Sequence, residues 1–187
     1  MVLDAVILAG GSSSRFGSNK MLYPVDGIPM AAKVAQNMND LGTVLLIGAS
    51  VDDAKLISIE TYSGPNEGQG PLGALVDALD NSNAEFLLVS PCDTPFFEKQ
   101  DFSKLIEELG PETDVAVARD ERNHWLLSCW RISTTLKHLE LMFSQGERAI
   151  HRAVVGLRIV EVQFSEGKTR NINTQIDLSN WRKQGCR

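Results

Sequence analysis

Val6-Ile7-Leu8-Ala9-Gly10-Gly11-Ser12-Ser13-Ser14-Arg15-Phe16-Gly17-Ser18-Asn19-Lys20 carries an apolar strand straight into a glycine-rich loop with two cations. Paired glycines let a ligand approach the backbone with no Cβ in the way, and the three serines add hydroxyl donors. Exposed amides in such a turn attract phosphate oxygens. Arg15 offers a forked contact and Lys20 a compact point charge. The stretch is therefore read as a phosphate-holding loop at a strand end, suited to a nucleoside triphosphate. It is neither of two familiar phosphate loops. Gly17 is followed by Ser18-Asn19 rather than Lys-Ser/Thr, which excludes a Walker A loop. The gap from Gly11 to Gly17 excludes a dinucleotide fingerprint. A flexible surface loop with two solvated charges is the alternative, but ligands in α/β sheets sit at strand ends.

Working outward, strands and helices alternate. Val2–Ala9, Val44–Gly48, Phe86–Ser90 and Val115–Ala118 read as short buried strands. Between them, Ala31, Val34, Ala35 and Met38 share a helix face, as do Leu72, Leu75, Val76 and Leu79, and Phe102, Leu105, Ile106 and Leu109. These crossovers predict an α/β fold with a mostly parallel sheet covered on both faces. After about residue 120 the pattern loosens. A strand is expected over Trp125–Trp130 and a helix through Ile132, Leu136, Leu139 and Phe143. A half-exposed strand follows at Ile159–Phe164, and a terminal helix opens at Thr174-Gln175-Ile176-Asp177.

At 187 residues the chain reads as a single domain, with about 1–110 as a nucleotide-binding half and about 111–187 as an elaboration on the same sheet. A net charge of −6 disfavours a broad nucleic-acid surface. No apolar run reaches membrane-span length, and Met1-Val2-Leu3-Asp4 has no basic flank of a signal peptide. Three cysteines without a Cys-x-x-Cys pair fit a reducing cytoplasm and argue against a disulfide framework or a structural zinc site. Any metal should be a hard cation held by oxygen.

Three further stretches carry chemistry. In Pro91-Cys92-Asp93-Thr94-Pro95 an apolar strand delivers one carboxylate into a loop braced by prolines. Asp93 suits Mg²⁺ shared with substrate phosphates, since magnesium takes few protein ligands; a turn or cap role is the alternative. Cys92 reads as a packed neighbour. Gly64 to Leu75 contains Gly70-Pro71, with Pro71 at a helix start whose amides can meet phosphate or ribose oxygens, or simply form a loop-to-helix junction. In Arg170-Asn171-Ile172-Asn173-Thr174, extended backbone would aim both asparagine amides at one site, while Asn173 also suits a helix N-cap.

Together, Leu8-Ala9-Gly10-Gly11 through Arg15, Gly17 and Lys20, with Gly70-Pro71-Leu72-Gly73, Pro91-Cys92-Asp93-Thr94-Pro95, Gly146-Glu147-Arg148 and Asn171-Ile172-Asn173-Thr174, resemble the molybdenum cofactor guanylyltransferases. The resemblance spans nearly the whole chain and implies a three-layer Rossmann-like nucleotidyltransferase fold. It implies transfer of GMP from GTP to the phosphate of molybdenum-bound molybdopterin, with Mg²⁺ as cofactor and pyrophosphate released. Leu8, Ala9, Gly10, Gly11, Gly70 and Pro71 would contact the nucleotide and Lys20 its phosphates, with Arg15 beside it. Asp93 would hold Mg²⁺, Asn171 and Asn173 would lie near the metal or the pterin, and Arg148 near the pterin side. Residues from about 111 onward would form that pterin side. Transient partners would be pterin-supplying and molybdoenzyme-maturation proteins, without membrane or nucleic acid.

Two positions depart from the family pattern. Gly48-Ala49-Ser50 stands where an Asn is common, and the segment before Gly70 offers Glu67 rather than Asp. A cytidylyltransferase for the same pterin is the nearest alternative, although Gly11 favours guanine. Sugar-phosphate and isoprenoid-precursor nucleotidyltransferases are generally longer. A non-catalytic nucleotide-binding module has less need of Arg15, Lys20 and Asp93 together.

Overall fold

The computed structural model describes residues 2–10 and 19–185. In chain order it contains β1 (Leu3–Leu8), a 3₁₀ turn (Lys20–Leu22), β2 (Pro24–Val25), β3 (Ile28–Pro29), α1 (Met30–Met38), β4 (Thr43–Ile47), α2 (Val51–Leu56), β5 (Thr61–Tyr62) and α3 (Pro71–Asn81). There follow β6 (Phe86–Pro91), α4 (Lys99–Glu107), β7 (Val115–Arg119), β8 (Asn123–Arg131), α5 (Ile132–Ser144), α6 (Ile150–Ala153), β9 (Ile159–Gln163), α7 (Glu166–Thr169) and α8 (Gln175–Gly185).

Seven strands form one sheet in the order β5-β4-β1-β6-β8-β7-β9. Every neighbouring pair is parallel except the two made by β8, which runs against both β6 and β7. The hairpin joining β7 to β8 is why the regular alternation fades after residue 120. Strand periodicity sorts the core into two layers. On β1, Ala5 and Ile7 face α1 and α4, meeting Ala31, Val34, Met38, Phe102 and Leu105. Val6 and Leu8 face the opposite way, toward Leu72, Leu75 and Leu79 of α3 and Leu139 of α5. The mostly parallel, three-layer α/β architecture is as expected.

Several short elements escaped sequence reading. The two-residue strands β2, β3 and β5 carry too few residues to show a period, and α2 buries only Ala54. A third, smaller cluster joins Val25, Met30, Phe96, Ile172 and Leu178, with the Trp181 ring stacked on Phe96. It fastens the β2–β3 hairpin and α8 beside the loop after β6. No helix among the described residues is long and apolar enough to cross a membrane.

Leu88 is fully buried, whereas Leu56 is 71% exposed. Leu88→Ala should therefore cost about 2–5 kcal/mol in urea unfolding, and Leu56→Ala no more than about 0.5 kcal/mol. Equal losses at the two sites would refute this core assignment.

Candidate active site

The carboxyl ends of β4, β1 and β6 open onto a single cleft of about 740 Å³, the position at which ligands bind in open α/β sheets. Backbone hydrogen bonds align these ends: Ala9 N–H donates to Ile47 O at 2.9 Å, and Cys92 N–H to Leu8 O at 3.0 Å. Gly48 has a φ of +78°, and a Cβ there would come within 3.1 Å of the Gly10 Cα. The departure from the family's Asn at this position thus coincides with two loops in close backbone contact.

Lys20, Asp93 and Asn173 come from distant parts of the chain and meet at the centre. Lys20 Nζ lies 2.6 Å from Asp93 Oδ2 and donates to Asn173 Oδ1 at 2.7 Å. Each partner is held by its own local structure. Met21, 2% exposed, anchors the 3₁₀ turn in the core, and the Asn19 side chain accepts from its N–H. The loop bearing Asp93 is braced by the Thr94 hydroxyl donating to Pro91 O at 3.2 Å. Ile172 N–H donates to Asp93 O at 2.8 Å, and the Ile172 side chain is fully buried in the third cluster. That anchoring leaves Asn171 lining the cleft and Asn173 on Lys20. The cap of α8 is Thr174, whose Oγ1 accepts from Asp177 N–H; Asp177 in turn accepts from Asn173 N–H. The Asn173 side chain is thus engaged at the site rather than in capping.

Asp93 Oδ1 is buried with no hydrogen-bond partner among the described residues. Such an orphan costs about 1–3 kcal/mol, and its place in the cleft suits a cation ligand. No group of three or more His, Cys, Asp or Glu that could hold a metal occurs among the described residues. A cation here would therefore have one carboxylate, with substrate oxygens and water completing its shell, as Mg²⁺ prefers. Burial pushes the neighbouring Cys92 thiol up to about 12, so it is a packed group and not a nucleophile.

Leu8, Ala9, Gly10, Gly70 and Pro71 line the cleft as well, whereas Gly11 and Arg15 lie outside the described residues. Arg148 is not among the lining residues. Its guanidinium covers the Phe143 ring at 4.0 Å and donates to the Phe143 and Glu147 carbonyls. Glu147 accepts from Arg148 and Ala149 N–H and pairs with Arg152, so this segment shapes the start of α6.

Asp77, His124 and Trp125 are among the lining residues that sequence reading missed. Asp77, 2% exposed on α3, accepts from Asn66 N–H at 3.0 Å and Asn66 Nδ2 at 2.7 Å, fastening the 64–70 loop. Burial raises Asp77 above the ordinary carboxylate value despite those donors. A Cβ on Gly64 would overlap the Asp77 carboxylate. His124 and Trp125 also face the cleft. An isolated Asp in an apolar helix face was the available signal for the first; nothing in the local pattern marked the other two.

Known proteins resemble the chain in sequence and fold. Residues 5–159 match the MobA-like NTP transferase domain. The molybdenum cofactor guanylyltransferase of Histophilus somni is 30% identical over 188 residues, covering 96% of this chain and 95% of its own. That of Rhodobacter capsulatus is 28% identical over 185 residues, covering 96% and 94%. Among solved structures, molybdopterin-guanine dinucleotide biosynthesis protein A from Archaeoglobus fulgidus superposes with a TM-score of 0.78 at 21% identity, covering 97% of this chain and 98% of its own. A nucleotidyl transferase from Methanothermobacter thermautotroptrophicus gives 0.79 at 16% identity, covering 98% and 97%. With the family match spanning most of its length, the chain belongs to the MobA-like NTP transferase family and is a nucleotidyltransferase.

Proposed function

We propose that the protein transfers GMP from GTP to the phosphate of molybdenum-bound molybdopterin and releases pyrophosphate. The observation that carries this reading is the Lys20–Asp93–Asn173 centre, with its unpartnered buried oxygen, at the strand ends of a nucleotidyltransferase fold. The names of the curated relatives support the choice of substrates. Residues 1–110 serve the nucleotide, with Leu8, Ala9, Gly10, Gly70 and Pro71 against it; residues 111–187 serve the pterin. The partners are the two substrates, together with the proteins that deliver the pterin and receive the product in the cytoplasm.

In the reaction an acceptor phosphate oxygen bonds to the α-phosphorus of GTP as the bond from that phosphorus to the β-phosphate bridging oxygen breaks. Two anions must be brought together, and charge accumulates on the leaving pyrophosphate. Lys20 holds the phosphates in line, with Arg15 as the second cation. Asp93 is the Mg²⁺ ligand, and Asn171 and Asn173 orient the oxygens around it. Bound there, Mg²⁺ supplies neutralising charge to both phosphates and to the departing group. No protein nucleophile is required.

Calorimetric titration with GTP, CTP, ATP and UTP in Mg²⁺ should give the tightest binding for GTP; preference for CTP would transfer the assignment to cytidylyl chemistry. Asp93→Asn should lower pyrophosphate release by at least about a hundredfold. It should still fold, because the amide oxygen can keep the hydrogen bond from Lys20, which circular dichroism would check. An unaffected rate would remove Asp93 from the mechanism.

A further inference from the structure

Strand order sets the order of groups along the cleft. Gly48 follows β4, Gly10 follows β1, Asp93 follows β6, and His124 is the second residue of β8, whose reversed direction brings its start to this same edge. The Lys20–Asp93 centre thus separates two wings. One is made of glycine-rich backbone and the segment leading into α3. The other is made by β8. There the register with β7 jumps from Val117–Ser128 to Ala118–His124, so Trp125, Leu126 and Leu127 bulge from the ladder and line the cleft. Lys20 is the one Lys or Arg among the described lining residues, and the β8 wing is an apolar wall bearing a single imidazole.

That imidazole is held from behind. His124 Nε2 lies 2.8 Å from Asp120 Oδ2, which also accepts from the Thr169 hydroxyl at 2.6 Å. Asp120 Oδ1 accepts from Arg122 N–H at 3.0 Å. Burial alone would raise Asp120, but the bonds from Thr169, Arg122 and His124 hold it below the usual carboxylate range. Held at Nε2 by Asp120, the ring has Nδ1 as its other polar atom. Thr169 lies two residues before Asn171, so one carboxylate sets both the imidazole and the segment entering the centre.

We propose that His124 is a specificity residue of the acceptor wing: its Nδ1 hydrogen-bonds a polar group on the edge of the planar heterocycle of the second substrate, which rests against Trp125 to Leu127, and Asp120 is its positioning residue. The phosphates belong at Lys20. This rests on the pterin-acceptor reading above.

The test is His124→Gln. A glutamine amide reaches the Nε2 position and still donates to Asp120, but offers nothing in place of Nδ1. Transfer is assayed with molybdenum-bound molybdopterin varied, at saturating levels of whichever nucleoside triphosphate the parent consumes, so a failure of guanine selectivity leaves the test intact. The acceptor KM should rise roughly five- to tenfold, with nucleotide Kd and KM changed by less than about twofold. Asp120→Asn should raise the acceptor KM in the same sense. An acceptor KM within about twofold of the parent in His124→Gln overturns the proposal, as does an equal loss of nucleotide affinity. No transfer to the pterin by the parent protein overturns the reading of function, and this inference with it.

Discussion

One carboxylate, Asp93, has its two oxygens in opposite situations: Oδ2 is paired with Lys20, and Oδ1 is buried without a partner among the described residues. Folding alone gives no reason to leave a charged oxygen in that state, because an unpaired buried acceptor is destabilising. The surrounding structure enforces it. Proline and threonine brace the loop, a buried methionine pins the turn carrying the lysine, and a buried isoleucine carries in the asparagines. The site is strained in an electrostatic sense, and its strain is of the kind that a divalent cation with phosphate oxygens relieves.

The architecture explains how distant segments deliver groups to one point. Parallel β4, β1 and β6 end together, so their loops share an edge, and the reversed β8 adds its first residues to that edge. The third apolar cluster does the remaining positioning by fastening α8 and the segment before it next to the Asp93 loop. Rigid elements hold the charged centre, while the β8 bulge and the 64–70 loop shape the two ends of the cleft. Catalysis of phosphoryl chemistry depends on such placement more than on any reactive side chain.

Much of this was legible in the sequence because it is periodic or punctuated. Period-two and period-3.6 patterns marked the main strands and helices, and the glycine and proline clusters marked the loops that line the cleft. Lys20, Asp93 and the two asparagines could be named as candidates; their convergence could not, since the hydrogen bonds joining them cross 73 and 153 residues. His124 and Asp120 were invisible for a different reason. They are four residues apart across a hairpin, and only the turn and the adjoining bulge bring the two side chains together. Arg148, expected near the pterin side, instead serves the start of α6, since its bonds are to its own neighbours in the chain.

The central claim is that Asp93 Oδ1 is kept open for a cation shared with the nucleotide. It is tested most directly by measuring GTP affinity with and without Mg²⁺ in the parent and in Asp93→Asn, and comparing the two ratios. The account predicts that Mg²⁺ tightens GTP binding by roughly tenfold in the parent and has little effect in the variant. The same tightening in both proteins would mean that the cation travels with the nucleotide alone and that Asp93 does not hold it.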